Sequence, residues 1–163
     1  MSRKCLCDAG YTIGVVANIS VAVIIDAPRE AVFENIRNVE SHTAWMTDAK
    51  QITIVSPQRQ GVGLRFTVHT RLGPLATLDE MEVTRWEPGH LIGIEHRGIV
   101  KGTGSFTTAD YGIGKTLFSW DERLKFPIRL GGGLSDVPAR LALQIVFQRD
   151  LNNLKRIIEA TPS

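Results

Sequence analysis

Between Gln51 and Pro127 the chain runs through six successive stretches in which apolar and polar residues alternate, each closed by a short turn. Gly73-Pro74 and Pro88-Gly89 are the clearest of these turns, and alternation with a period of two is the mark of a strand with one wet face. Connections this short leave no room for crossover helices, so neighbouring strands must pair antiparallel. VGLRFTVHTRLGP sets Leu64, Phe66, Val68 and Thr70 against Arg65, Thr67, His69 and Arg71, which places His69 and Arg71 toward solvent. In LATLDEMEVTRWEPG, Asp79, Met81, Val83 and Arg85 share a face, open to a buried Asp79–Arg85 pair or to charge at a rim. HLIGIEHRG brings Ile92, Ile94 and His96 to one side.

What flanks this run decides the class. NISVAVIIDAP contains a β-branched strand, Val21 to Ile25, after which Asp26 is expected to cap a helix with Pro28 in its first turn and Val32, Phe33 and Ile36 inward. A second short helical piece is expected near Ser41–Met46. After Gly131-Gly132-Gly133, read as a loop with a hinge as the alternative, Ser135 or Asp136 can cap a long helix with Pro138 in its first turn. Leu143, Phe147, Leu151, Leu154 and Ile158 form its apolar stripe, with Gln148, Asn152, Asn153, Lys155 and Arg156 away from it, to about Glu159. Helices and strands are segregated, so the fold is α+β: a curved antiparallel sheet of about six to seven strands, two short helices after the first strand, and a long C-terminal helix across the sheet. A twisted sheet need not close fully on a single helix, and the space left between them is an apolar cavity. Residues 18–160 are expected to form this one domain, and residues 1–17 a poorly ordered N-terminal extension.

The totals exclude several classes. A formal charge of +2, with no run of Lys and Arg beyond the first four residues, gives no footprint for nucleic acid. No apolar stretch reaches the roughly 20 residues of a membrane span. Cys5 and Cys7 cannot by themselves complete a four-ligand metal site; they read as a reduced tail in a cytoplasmic protein, with a redox or metal role as the alternative. No His-x-x-x-His, clustered Cys/His or Gly-x-Ser-x-Gly occurs, and GTGSF and GIGKT lack the setting of a phosphate loop, so neither a metal nor a cofactor is expected.

KTLFSWDERLKFP holds the one anomaly. Thr116, Phe118, Trp120, Leu124 and Phe126 make an inward row, and Glu122 stands in its middle. A carboxylate among apolar side chains costs several kcal/mol unless it is paired, hydrogen-bonded or neutralised. Three readings remain open: a bend or rim that lets Glu122 reach water, a fixed internal pair with a cation or imidazole, or action on a ligand as acceptor or general base. His96 is the natural partner, itself readable as a hydrogen-bonded core residue or as an acid/base group.

VAVIIDAPREAVFENIRNVESHTAWM, GVGLRF, DEMEVTRWEPG, IEHRGIVKGTGSF, FSWDERLKFP and FQRDLNNLKRIIE, spanning Ile19 to Glu159, resemble the START-like (SRPBCC) superfamily and, within it, the polyketide cyclase/dehydrase-like branch. The resemblance implies the helix-grip fold and a cavity that binds a hydrophobic small molecule, lipid-like or polycyclic. On this expectation His42, Trp45 and Met46 stand at the cavity entrance, with Trp45 as an anchor of the short helix to the core as the alternative. Phe66, Val68, Met81 and Ile94 line it from the middle strands, Phe106, Phe118 and Trp120 from the last strands, and Leu143 and Phe147 from the helix. The alternative the resemblance implies is a cyclase/dehydrase-like enzyme; Glu122 and His96 match no catalytic set of that family, and their inward position alone makes them its candidate proton acceptor and proton donor. An acyl-carrier protein is a partner only under that alternative, and a homodimer is left open.

Overall fold

The strand that carries Glu122 runs Thr116–Phe126 and alternates as its sequence dictates, with Thr116, Phe118, Trp120, Glu122 and Leu124 all buried. It is the last of seven strands in a computed structural model that describes residues 15–73, 75–126 and 136–161. In chain order the elements are β1 (Val15–Ile25), α1 (Arg29–Arg37), a 3-10 helical turn (Val39–Ala44), β2 (Ala49–Ile54), β3 (Arg65–Leu72), β4 (Leu75–Glu87), β5 (Leu91–His96), β6 (Lys101–Asp110), β7 (Thr116–Phe126) and α2 (Asp136–Glu159). All strands pair antiparallel in one sheet of order β1-β7-β6-β5-β4-β3-β2. This is the α+β helix-grip arrangement: a curved sheet held against one long helix. Among the described residues no helix is long and apolar enough to cross a membrane.

β1 begins at Val15, inside the segment set apart in the sequence as an extension. It lies at an edge of the sheet, where main-chain groups lack a strand neighbour, and α2 side chains satisfy two of its carbonyls. Gln148 Nε2 donates to the Ala22 carbonyl at 3.2 Å, and Lys155 Nζ to the Ile24 carbonyl at 2.6 Å. These two side chains stand beside the apolar stripe of α2, over the strand, rather than simply away from the core. Phe147, Leu151, Leu154 and Ile158 are buried beneath the helix as their spacing predicts. Phe147 stacks flat on Trp120, with ring centroids 4.0 Å apart and planes inclined by 5°.

Two expectations fail for local reasons. Asp26 does not cap α1, whose N-cap is Pro28; its carboxylate pairs with Lys115 at 2.6 Å, and its backbone N–H donates to Glu159. Arg85 does not meet Asp79. The β4–β5 register shifts between Val83 and Arg85, so Val83 points in while Arg85 points out toward Glu87 at 3.0 Å. Beyond this bulge the inward position belongs to Trp86, edge-on to Phe33 at 5.8 Å. The Gly131–Gly133 stretch, Ser135, Pro74 and the cysteine pair Cys5 and Cys7 lie outside the described residues.

Candidate functional site

β5, β6 and β7 are consecutive neighbours, and the side chains that meet across them explain the anomalous acid. Glu122 on β7 lies opposite Gly104 on β6, and His96 on β5 lies opposite Gly102. With no side chain at position 104, the Glu122 carboxylate reclines across the middle strand and reaches the imidazole. His96 Nε2 lies 3.1 Å from Glu122 Oε2, and His96 Nδ1 lies 2.6 Å from Asp79 Oδ2 on β4. Glu122 Oε1 accepts a third bond from Trp120 Nε1 at 2.9 Å. A Cβ at Gly104 would collide with the Glu122 carboxylate, and one at Gly98 with Asp79 Oδ1. Gly104→Ala is therefore expected to destabilise the fold by about 1–3 kcal/mol, measured by urea unfolding, because the displaced carboxylate loses its partners.

The triad is dry: His96 is 7% exposed, Glu122 6% and Asp79 4%. Burial alone lowers the basicity of His96, but the hydrogen bonds and negative charges of Asp79 and Glu122 outweigh it and lift the imidazole to about 9. At neutral pH His96 is thus an imidazolium with both N–H groups committed to carboxylates. It is a weak acid, suited to protonating a strongly basic oxygen such as an enolate, and it yields its proton only if a ligand atom replaces one carboxylate. Asp79 Oδ1, buried and beside Gly98, has no hydrogen-bond partner among the described residues.

The triad forms one wall of a cavity of about 160 Å³ between the sheet, the 3-10 turn and α2. Nine of the residues expected there line it: Phe66, Val68, Met81 and Ile94, then Phe106 and Trp120, then Met46, Leu143 and Phe147. His96 and Glu122 line it too, joined by Asp79. Trp45 and Phe118 do not. Trp45 is only 2% exposed, packed against His42, Phe106 and Trp120, with its carbonyl accepting from Asn153 on α2; it anchors the 3-10 turn. Phe118 is wholly buried behind Phe106, ring centroids 5.5 Å apart, one layer too deep.

Two further titratable groups are buried, one on the turn expected at the cavity entrance and one not foreseen from the sequence. His42 on the 3-10 turn lines the cavity with Nε2 bonded to the Ile36 carbonyl at 2.7 Å. Burial pushes its imidazole down to about 4, more than this bond raises it. The ring is neutral, Nε2 carries the proton, and Nδ1 is an acceptor. Asp150 on α2 is fully buried, accepts from Thr47 N and Oγ1 at 3.1 and 2.9 Å, and is raised to about 6, chiefly by burial. Its signal is its spacing, three residues after Phe147 and four before Leu154, squarely on the helix's apolar stripe.

Solved structures with the same fold include protein TTHA0849 from Thermus thermophilus, with a TM-score of 0.78 and 17% identity over 90% of this chain and 99% of that one. Another is the ZhuI aromatase/cyclase from Streptomyces sp. R1128, with a TM-score of 0.69 and 17% identity over 88% of this chain and 94% of that one. The di-domain aromatase/cyclase BexL of the BE-7585A biosynthetic pathway gives 0.70 and 18% over 91% of this chain, which spans 52% of BexL. At such identities these likenesses establish the fold. No curated protein matches the chain by sequence. Residues 16–159 match the family described as polyketide cyclase / dehydrase and lipid transport, and the chain belongs to that family.

Proposed function

We propose that the cavity binds a small hydrophobic molecule. The observation that carries this reading is a cavity of about 160 Å³ with a mainly apolar and aromatic lining, interrupted at one wall by the buried triad. A volume of this order lies below the ~300–1,000 Å³ usual for ligand pockets and near the ~150 Å³ at which a cavity holds a single aromatic ring. A ring or a short alkyl segment fits it as it stands. The longer lipid-like or polycyclic ligands expected from the sequence need the part-exposed Met46 and Leu143 to swing aside, which Met does readily.

Native mass spectrometry of the protein purified from its own host tests this reading. The expected result is a co-purifying apolar molecule, lost when Ile94→Phe fills the cavity. Absence of any adduct, together with failure of small aromatic probes to bind, overturns it.

A second reading is favoured by one specific observation, the imidazolium clamped between two carboxylates in a family whose description includes cyclases and dehydrases. In it Glu122 accepts a proton from a bound poly-ketone and His96 donates one, with an acyl-carrier protein delivering the substrate. Glu122→Gln is expected to keep ligand retention while abolishing turnover under this reading. A variant that loses only stability removes it.

A further inference from the structure

The chemistry of the polar groups facing the cavity goes further than its volume. Asp48, Asp79 and Glu122 bring three carboxylates to its lining, and His96 brings one imidazolium. Among the described lining residues no Lys or Arg accompanies them, which leaves a formal excess of negative charge. His96 has no N–H to spare, since both are held by Asp79 and Glu122. His42 Nε2 is likewise committed to the Ile36 carbonyl, which leaves Nδ1 as a lone-pair acceptor. Asp79 Oδ1 also lacks a partner among the described residues, but it is turned to Gly98 and shielded from the cavity. The polar part of the wall is thus made of acceptors and negative charge; the uncommitted donors are the hydroxyls of Thr70 and Thr77.

We propose that this cavity selects a single-ring ligand bearing a hydrogen-bond donor, neutral or cationic, and rejects carboxylates. The inference rests on the proposed binding function and deepens it by naming the ligand class. A phenolic O–H or an ammonium group brings a donor to His42 Nδ1, a lining acceptor with no partner among the described residues. An ammonium group also offsets the excess charge and faces the rings of Phe106, Trp120 and Phe147. A carboxylate would be stripped of water and set among like charges, a penalty with nothing in the described lining to offset it.

The experiment is an NMR-monitored titration of the full chain at pH 7 with four probes of one shape: toluene, phenol, benzylamine and benzoate, read at the Trp120 indole N–H. Phenol and benzylamine are expected to bind about 10-fold or more tighter than toluene, and benzoate about 10-fold or more weaker. His42→Phe should shrink the ratio of phenol to toluene affinity several-fold. Toluene matching phenol and benzylamine, or benzoate binding as well as toluene, overturns the donor-selective site but leaves the cavity's binding role standing. Failure of all four to bind overturns the binding role itself, and this inference with it. Should His42→Phe not fold, the order of affinities in the unaltered protein decides alone.

Discussion

His96→Leu lowers the free energy of unfolding at pH 7 by about 3–5 kcal/mol, measured by urea denaturation, the largest loss expected from any single substitution in the triad. The leucine fills most of the imidazole's volume, so the loss is electrostatic rather than a cavity effect. Asp79 and Glu122 are left facing one another without the intervening cation, each less than a tenth exposed. Replacing all three groups with uncharged partners, as in Asp79→Asn/His96→Leu/Glu122→Gln, should recover most of the loss, because apolar or neutral sets often match buried ion clusters in stability. Recovery of stability with loss of ligand binding would assign the triad to recognition rather than folding. A loss under about 1 kcal/mol in His96→Leu would show that water reaches and screens the two carboxylates.

Raising the pH from 6.5 to 9 should remove about 3 kcal/mol of stability, with the slope abolished in His96→Leu. In the unfolded chain His96 titrates near its ordinary value of 6.5, while in the folded protein it holds its proton to about 9. Below 6.5 both states carry the proton and the stabilisation is complete. As pH rises through the window, the unfolded state sheds the proton first and the folded state loses its advantage. On the acid side two groups oppose one another. His42, depressed to about 4, makes the fold less stable as pH falls from 6.5, because the unfolded chain gains a proton that the buried ring refuses. Asp150, raised to about 6, contributes stability fully present at low pH and lost as pH climbs through about 6. Their partial cancellation places the maximum near pH 6–6.5, and a denaturation series across pH with His96→Leu and Asp150→Asn separates the contributions.

The parts of this molecule legible in its sequence are those fixed by periodicity. Alternation in KTLFSWDERLKFP puts Trp120 and Glu122 on the same face whatever the tertiary context, and helical spacing does the same for Phe147 and Leu151. Which inward residue meets which is a matter of register. Asp79 is recognisable as inward, but its partner depends on a bulge between Val83 and Arg85 that no local signal announces. Depth is equally hidden: Trp45 and Phe118 are as apolar and as inward as Met46 and Trp120, yet only the latter pair reaches the cavity. The carboxylate–imidazole contact is foreseeable as a pairing of types. The reason it is possible, a bare glycine on the strand between, is visible only once three strands are set side by side.

The way α2 seals the edge of β1 ties ligand exchange to colloidal behaviour. Any opening that lifts the helix from the sheet to admit a larger guest also frees the carbonyls of Ala22 and Ile24 from Gln148 and Lys155. A bared edge is a template on which another molecule can add a strand. An occupied, closed protein should therefore outlast the empty one in concentrated solution, and a guest that props the helix open should hasten clumping.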